Sequence, residues 1–396
     1  MEIYLDNSAT TKVTEGVRDK VLQVLYEDYG NPSSMHRLGV QAEQHMKDAA
    51  AIIASSLKVE PKEIFFTSGG TEANNLALIG TAFANRRRGN HIITTRIEHP
   101  SVHQPLVHLE ESGFEVSFAP VDSAGRLIKE KLFELVKENT IMVSLMYVNN
   151  EIGAVQDINE LARELKSRKK DIILHVDGVQ AFGKYKIYPK REGIDLFSFS
   201  GHKIHGPKGI GALYVNEKIR INPIVFGGGH QKGLRSGTEN VPGIAGLGQA
   251  VSELFTDFDS KTSRMYLLKQ RFLREVSQLA DVTVNGVPMG CTPDYELEQL
   301  KMTAPHIMSV NFEGVRSEVF LHALEERGVY VSSGSACSSH HATPSVTLAA
   351  IGMEKKLMDS TLRFSMSGMT TEEEIDYTVE QIKELLPVLR RYTRKK

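Results

Sequence analysis

Six places in the chain carry side chains whose type and setting suit chemistry. Lys203 lies in "FSFSGHKIHGPKGIG", directly after an apolar run ending at Ser198–Ser200 and among Gly201, Gly206 and Gly209. A lysine held by a glycine-rich turn at the rim of a sheet can form a Schiff base. Taken alone, it reads more simply as a solvated loop lysine. Asp177 closes the apolar run of "ILHVDGVQAFGK". A carboxylate in that place is costly unless paired. It suits the protonated ring nitrogen of an electron-sink cofactor such as pyridoxal phosphate, and it suits an N-cap or turn equally well. Ser68, Gly69, Gly70 and Thr71 lead from strand to helix in "FFTSGGTEANNLAL". Free backbone N–H groups and the helix dipole make such a turn a phosphate site, although it lacks the lysine and hydroxyl of a P-loop.

The other three places are a histidine, an arginine and a cysteine. His99 follows the strand-like "HIITT" in "TRIEHPSV". An imidazole there can stack on a planar ring and shuttle protons, or it can serve as a hydrogen-bonded histidine at a helix start. Its spacing to His103 suits a helical metal pair, but no third ligand is picked out by spacing. Arg363 sits in the alternating segment "STLRFSM". A buried arginine needs an anion, either a substrate carboxylate held by its fork or an internal salt bridge. Cys337 lies in "YVSSGSACSSHH", residues 330–341. Small polar residues and Gly334 make that stretch a loop, so its thiol is reachable.

The elements that must position these groups alternate from about residue 60 to 215. "EIFFTS", "HIITT", "EVSFAP", "TIMVSLMYV", "DIILHVD", "DLFSFS" and "GIGALYV" read as strands. Helices are expected over 71–87, through Gln104–Glu111, and over 129–139 and 158–168. The pattern predicts an α/β fold with a mostly parallel sheet flanked by helices, whose ligands bind at the carboxyl ends of the strands. From about residue 256 two long helical stretches, Asp259–Ala280 and Thr371–Thr393, flank short strands in "HIMSVNF" and "STLRFSM". This mixture predicts a smaller α/β domain. The expected division is 14–258 for a large domain, with 1–13 and 259–396 forming a small one that carries the Cys337 loop.

With 396 residues the chain is long enough for two packed cores. Apolar residues make up 41% and charged residues 24%, which places it among globular proteins. A net charge of −2 gives no general attraction to nucleic acid or anionic lipid. The basic runs "RRRGN" at 86–90 and "RRYTRKK" at 390–396 read as solvated surface. No apolar run is long enough to span a bilayer, and "MEIYLDNSATT" lacks the basic-then-apolar design of a signal peptide. Two cysteines without a framework fit a reducing cytosol. Cys291, in the polar stretch "NGVPMGCTPDYELEQLK", reads as incidental rather than as a disulfide partner of Cys337.

Together these segments supply a phosphate nest, an imidazole, a carboxylate, a Schiff-base lysine, a carboxylate-binding arginine and a reachable thiol. In combination they resemble the cysteine desulfurases of the NifS/IscS type, class V aminotransferase-like enzymes of pyridoxal-phosphate fold type I. The resemblance runs nearly end to end, through "YLDNSATT", "YGNPSSMH", "FTSGGTEANNLA", "IEHPSV", "VNNEIGAVQDI", "HVDGVQ", "SFSGHKIHGPKGIG", "GGGHQKGLRSGTENVPGI", "SSGSACSS" and "LRFSMSGMTTEEEIDY".

The resemblance implies pyridoxal 5'-phosphate on Lys203, with His99 stacked on the ring and moving protons. Asp177 would pair with the pyridine nitrogen, and Asn150 and Gln180 would bond around the phenolic oxygen. Gly70, Thr71, Ser200 and His202 would hold the phosphate, joined by Thr238 from the other subunit of a homodimer. Asn31 and Arg363 would hold the carboxylate of L-cysteine. Cys337 would take the sulfur as a persulfide and pass it to an acceptor protein, an iron–sulfur scaffold or a tRNA thiolation enzyme, leaving alanine. No resident metal is implied, although Cys337 is a candidate for transiently holding an iron–sulfur cluster. The expected setting is the cytoplasm, without direct nucleic-acid or membrane contact.

One departure is "NGVPMGCTPDYELEQLKMTAPH", which is longer than the connection usual in the family. Competing readings are a selenocysteine lyase, a class V aminotransferase, which would not need Cys337, and a non-enzymatic scaffold for sulfur carriers.

Overall fold

A computed structural model of the chain describes residues 2–288, 291, 294–333 and 345–393. Twelve strands lie among them: β1 (Ile3–Tyr4), β2 (Ile64–Thr67), β3 (His91–Thr95), β4 (Glu115–Ala119), β5 (Thr140–Met146), β6 (Ile173–Asp177), β7 (Leu196–Ser200), β8 (Gly211–Val215), β9 (Val282–Asn285), β10 (Ile307–Phe312), β11 (Val329–Tyr330) and β12 (Thr361–Ser365). Seven of them form one sheet in the order β2-β8-β7-β6-β5-β3-β4. Only β8 runs against its neighbours; the remaining pairs are parallel. Every residue of β3, β5, β6, β7 and β8 is buried. That explains their near-continuous apolar sequences, since both faces of such a sheet are covered by helices.

Polar side chains start several of these helices. Thr14 Oγ1 accepts from Val17 N ahead of the helix Glu15–Tyr26, and Asp157 accepts from Glu160 N ahead of Ile158–Arg168. Asn240 does the same for Val241–Phe255, leaving fewer orphan N–H groups at each start.

Two expected helices differ in extent. The segment read over 71–87 starts at Gly70, changes to a π turn at Leu76–Gly80 and ends at Asn85. At Gly80 a Cβ would stand 2.4 Å from Asn222 O, so neighbouring backbone crowds this turn. The helix expected over 129–139 stops at Glu134. Lys137 N instead donates to Thr140 Oγ1 at 2.7 Å, a turn that leads into β5.

Beyond the main sheet, β12-β10-β9 form an antiparallel sheet and β1 pairs with β11 in parallel. Ile3 and Leu5 pack in the same apolar cluster as Phe272, Phe312, Phe364 and Ile382. A separate cluster beneath the main sheet holds Val143, Val176, Phe182, Phe197 and Phe199. Bridges Asp6–Ser365 and Ser332–Arg363 tie the N-terminal strand and the chain after β11 to β12. Cys291 packs beside the first of these clusters, and burial raises its thiol pKa. Among the described residues no helix is long and apolar enough to cross a membrane.

Candidate active site

The carboxyl ends of five strands of the main sheet deliver the site. β2 ends at the Ser68–Thr71 turn, β3 leads to His99, β5 to Asn150, β6 to Asp177 and Gln180, and β7 to Ser200 and Lys203. The turn after β2 is closely packed. A Cβ on Gly70 would stand 2.6 Å from Val179 Cγ2 and 3.5 Å from Ser200 Cβ, so the chain after β6 and the end of β7 press against it. Gly70 is therefore needed for close approach. Gly70 and Thr71 open the helix, where the first N–H groups have no intrahelical acceptor. Glu72 braces the turn: its Oε2 accepts from Ser68 N at 2.8 Å, and its Oε1 accepts from Arg235 Nε at 2.8 Å.

His99 and Asp177 are joined by two residues that the sequence did not single out. Asn74 Nδ2 donates to Asp177 Oδ2 at 2.8 Å and to Ser101 Oγ at 2.9 Å. Ser101 N donates to His99 Nδ1 at 3.1 Å, with Ser101 Oγ 2.8 Å from the same nitrogen. A backbone N–H needs an acceptor, so Nδ1 carries no proton and the neutral ring keeps its proton on Nε2. Burial lowers the His99 pKa and nearby Lys203 lowers it further, while Asp177 opposes both. His99 also caps the helix Pro100–Glu111. Asp177 fills the turn role considered for it, since Oδ1 accepts from Val179 N at 2.9 Å, and the other oxygen accepts from Asn74. Beside them Glu98 is buried, and its carboxyl pKa is pushed up to about 8 by burial and by Asp177, against a hydrogen bond from Thr95.

Lys203 Nζ donates to the carbonyl oxygens of Ser8 and Ala9. Gln180 Nε2 donates to the same Ser8 oxygen at 3.0 Å, and its Oε1 lies 3.2 Å from His306 Nε2. The N-terminal segment that offers these carbonyls is fixed to β12 through Ser8 N and Ser365 Oγ, 2.8 Å apart. Arg363, on β12, is buried. Its Nη2 meets Asp6 Oδ1 at 2.8 Å and its Nη1 donates to Asn150 O at 2.9 Å. The internal salt bridge considered for this arginine therefore exists. Its Nε is nonetheless buried without a partner among the described residues, as is Ser8 Oγ.

His202 Nδ1 lies 3.3 Å from Thr10 Oγ1, and its pKa falls to about 4 through burial, Lys203 and Lys208. His103 is turned to Arg96 O, at 3.1 Å, and no group of three metal-binding side chains occurs among the described residues. Asn31 and Thr238 are exposed. Asn31 Oδ1 accepts from Ser33 N, and no hydrogen bond joins it to Arg363 among the described residues. The expectations placed on Cys337 lie outside the described residues.

A phosphorylated pyridine aldehyde fits what is present. A glycine turn that a Cβ would obstruct faces Ser200, a buried carboxylate and an imidazole of fixed tautomer stand nearby, and the lysine lies at the next strand end.

The aminotransferase class-V family matches residues 3–378. The chain is 43% identical over 395 residues to the cysteine desulfurase IscS of Serratia proteamaculans, covering 98% of this chain and 94% of that protein. To the IscS of Methanosarcina thermophila it is 38% identical over 388 residues, covering 98% and 93%. A solved NifS-like protein superposes with a TM-score of 0.90 at 36% identity, covering 98% of this chain and all of the other. A structure described as SspA in complex with cysteine gives 0.79 at 32% identity, covering 93% and 100%. Carried by a fold and a sequence that match along almost their whole length, this chain belongs to the class-V aminotransferase family and, within it, to the pyridoxal-phosphate-dependent cysteine desulfurases of the NifS/IscS type.

Proposed function

We propose that the protein removes sulfur from L-cysteine, with Cys337 as acceptor, and releases L-alanine. The observation that carries this reading is the convergence of Lys203, Asp177 and His99 after the carboxyl ends of β7, β6 and β3 in a chain that matches cysteine desulfurases along almost its whole length. Pyridoxal phosphate, when bound, supplies an electron sink for the substrate's carbon skeleton. Lys203 would hold it covalently. Gly70, Thr71, Ser200 and His202 would hold its phosphate, Asp177 its ring nitrogen, and Asn150 and Gln180 its phenolic oxygen. Neutral His99, with its proton on Nε2, is placed to move a proton. Arg363, with Asn31, would orient the substrate carboxylate.

The Cys337 thiolate attacks the substrate sulfur. An S–S bond forms as the C–S bond breaks, so that enzyme thiol plus cysteine give enzyme persulfide plus alanine, with no external oxidant. An acceptor protein then takes the sulfur, an iron–sulfur scaffold or a tRNA thiolation enzyme, in the cytoplasm.

The division into 14–258 and 1–13 with 259–396 is proposed on the two apolar clusters, since Ile3 and Leu5 pack with the later residues. A homodimer is proposed on an exposed apolar stripe, Leu22, Leu25, Tyr26 and Tyr29, with Met35 and Phe226 also exposed. Leu22, Leu25 and Tyr26 share one face of the helix Glu15–Tyr26, with Tyr29 just beyond its end, and such patches mark interfaces. Thr238, exposed, would reach the neighbouring phosphate site. Mixing Lys203→Ala with Thr238→Asp chains restores activity if the site is shared, and restores none if each chain is self-sufficient.

The experiment for the activity follows both products. The holoenzyme given L-cysteine and a thiol reductant should release alanine and sulfide in equal amounts, and Lys203→Ala and Cys337→Ala should each lose both. Alanine without sulfide, or turnover by Cys337→Ala, would contradict the reading.

A further inference from the structure

Beside the turn that carries Lys203 lies a partly open pocket that the reaction does not use. It measures about 240 Å³ and is bounded by the turn after β6, the turn after Lys203, two helices and the chain after β12. Lys184 lines it and is only 7% exposed. Among the described residues its ammonium has neither a hydrogen bond nor a carboxylate within ion-pair distance, and burial pushes its pKa down to about 8. A buried ammonium without a counter-charge is costly, so this one calls for an anion.

The surroundings repeat the signal. Lys261, on the helix Phe258–Val276, also lines the pocket and donates only to a main-chain carbonyl, Glu253 O, at 3.0 Å. Burial lowers the pKa of His205, and Lys184 and Lys261 lower it further, against the hydrogen bond to Lys12 O and the charge of Glu253. Its Nδ1 is engaged with Lys12 O at 2.8 Å, leaving Nε2 for the pocket. The one carboxylate on the lining, Glu253, turns Oε1 to Gln249 Nε2 at 2.8 Å. Hydroxyls of Thr14 and Thr262 complete the polar side, and Ile204, Leu254, Phe258 and Met265 form apolar walls.

We infer that this pocket binds a short aliphatic carboxylate, its head on Lys184 and Lys261 and its body against the apolar walls. The volume lies below the range of drug-sized ligands, which limits the body to a few carbons. Apolar walls favour a carboxylate over a phosphate, whose several oxygens would each need a partner. The site is separate from the substrate's: Ile204 and His205 line it, and none of Lys203, Asp177, His99 and Arg363 does.

The test uses the holoenzyme with 4-methylpentanoate as probe and 4-methylpentan-1-ol as its uncharged counterpart, with affinities read by saturation-transfer NMR. The carboxylate should bind at least about tenfold more tightly than the alcohol, the size of one modest charge interaction. Lys184→Met should remove that preference, and Arg363→Lys should leave it intact. Equal binding of acid and alcohol, no binding of the acid, or a preference lost in Arg363→Lys but kept in Lys184→Met would overturn the inference. If Lys184→Met does not fold, the wild-type preference together with its survival in Arg363→Lys decides.

Discussion

Asn74 Nδ2 donates to Asp177 Oδ2 and Ser101 Oγ at once, so that the carboxylate and His99 belong to one hydrogen-bonded chain. Hydrogen bonds to Nδ1 favour the neutral imidazole. Ser101→Ala removes the hydroxyl at 2.8 Å and leaves only the backbone N–H. The His99 pKa should then rise, by about one unit or less, since a single hydrogen bond contributes roughly 1 kcal/mol. Titration of the ring by NMR and the acid limb of kcat/KM should move together. A fall, or no movement, would show that the hydroxyl does not set the tautomer.

Glu98 gives a stability prediction with a definite sign. Its carboxyl pKa is about 8 in the folded chain, above the ordinary glutamate value of 4.5. Below about pH 4.5 both states hold the proton; between there and about pH 8 the unfolded chain releases it and the folded chain keeps it. Glu98 therefore lowers stability progressively as pH rises through that window. Glu98→Gln stays neutral throughout. Relative to wild type it should gain stability from pH 5 to pH 8, on the order of a few kcal/mol, with no further gain above. A difference that is flat with pH would show that Glu98 is ionised.

Arg363 separates binding from folding. Lysine keeps the charge and loses the planar fork. Arg363→Lys should raise KM for cysteine roughly tenfold to a hundredfold, the value of a charge-assisted hydrogen bond or two. Cofactor absorbance should be unchanged. Should KM stay constant while Tm falls, the salt bridge to Asp6 at 2.8 Å is the whole of its role.

What the sequence made legible follows from range. The buried strands show because short apolar runs bounded by turn residues need no partner to be recognised, and the groups at their ends follow from the rule for parallel sheets. Contacts made across the chain do not show. The carbonyls of Ser8 and Ala9 meet Lys203 across more than 190 residues, and main-chain oxygens have no sequence signature. Asn74 looked like one polar residue on a helix, and its partners lie 27 and 103 residues away. The early end of the helix at Glu134 depends on a turn hydrogen bond to Thr140 that periodicity cannot register. Arg363 was legible as a buried cation, but its bond to Asp6 spans 357 residues.

The central claim is that sulfur passes from cysteine to Cys337, and the most direct measurement is the mass of that residue. The holoenzyme, treated with L-cysteine, digested without reductant and read by mass spectrometry, should carry one additional sulfur on the peptide containing Cys337. The adduct should disappear on reduction and never form in Lys203→Ala. Alanine production with Cys337 unmodified, or the extra sulfur on Cys291 instead, would contradict the account.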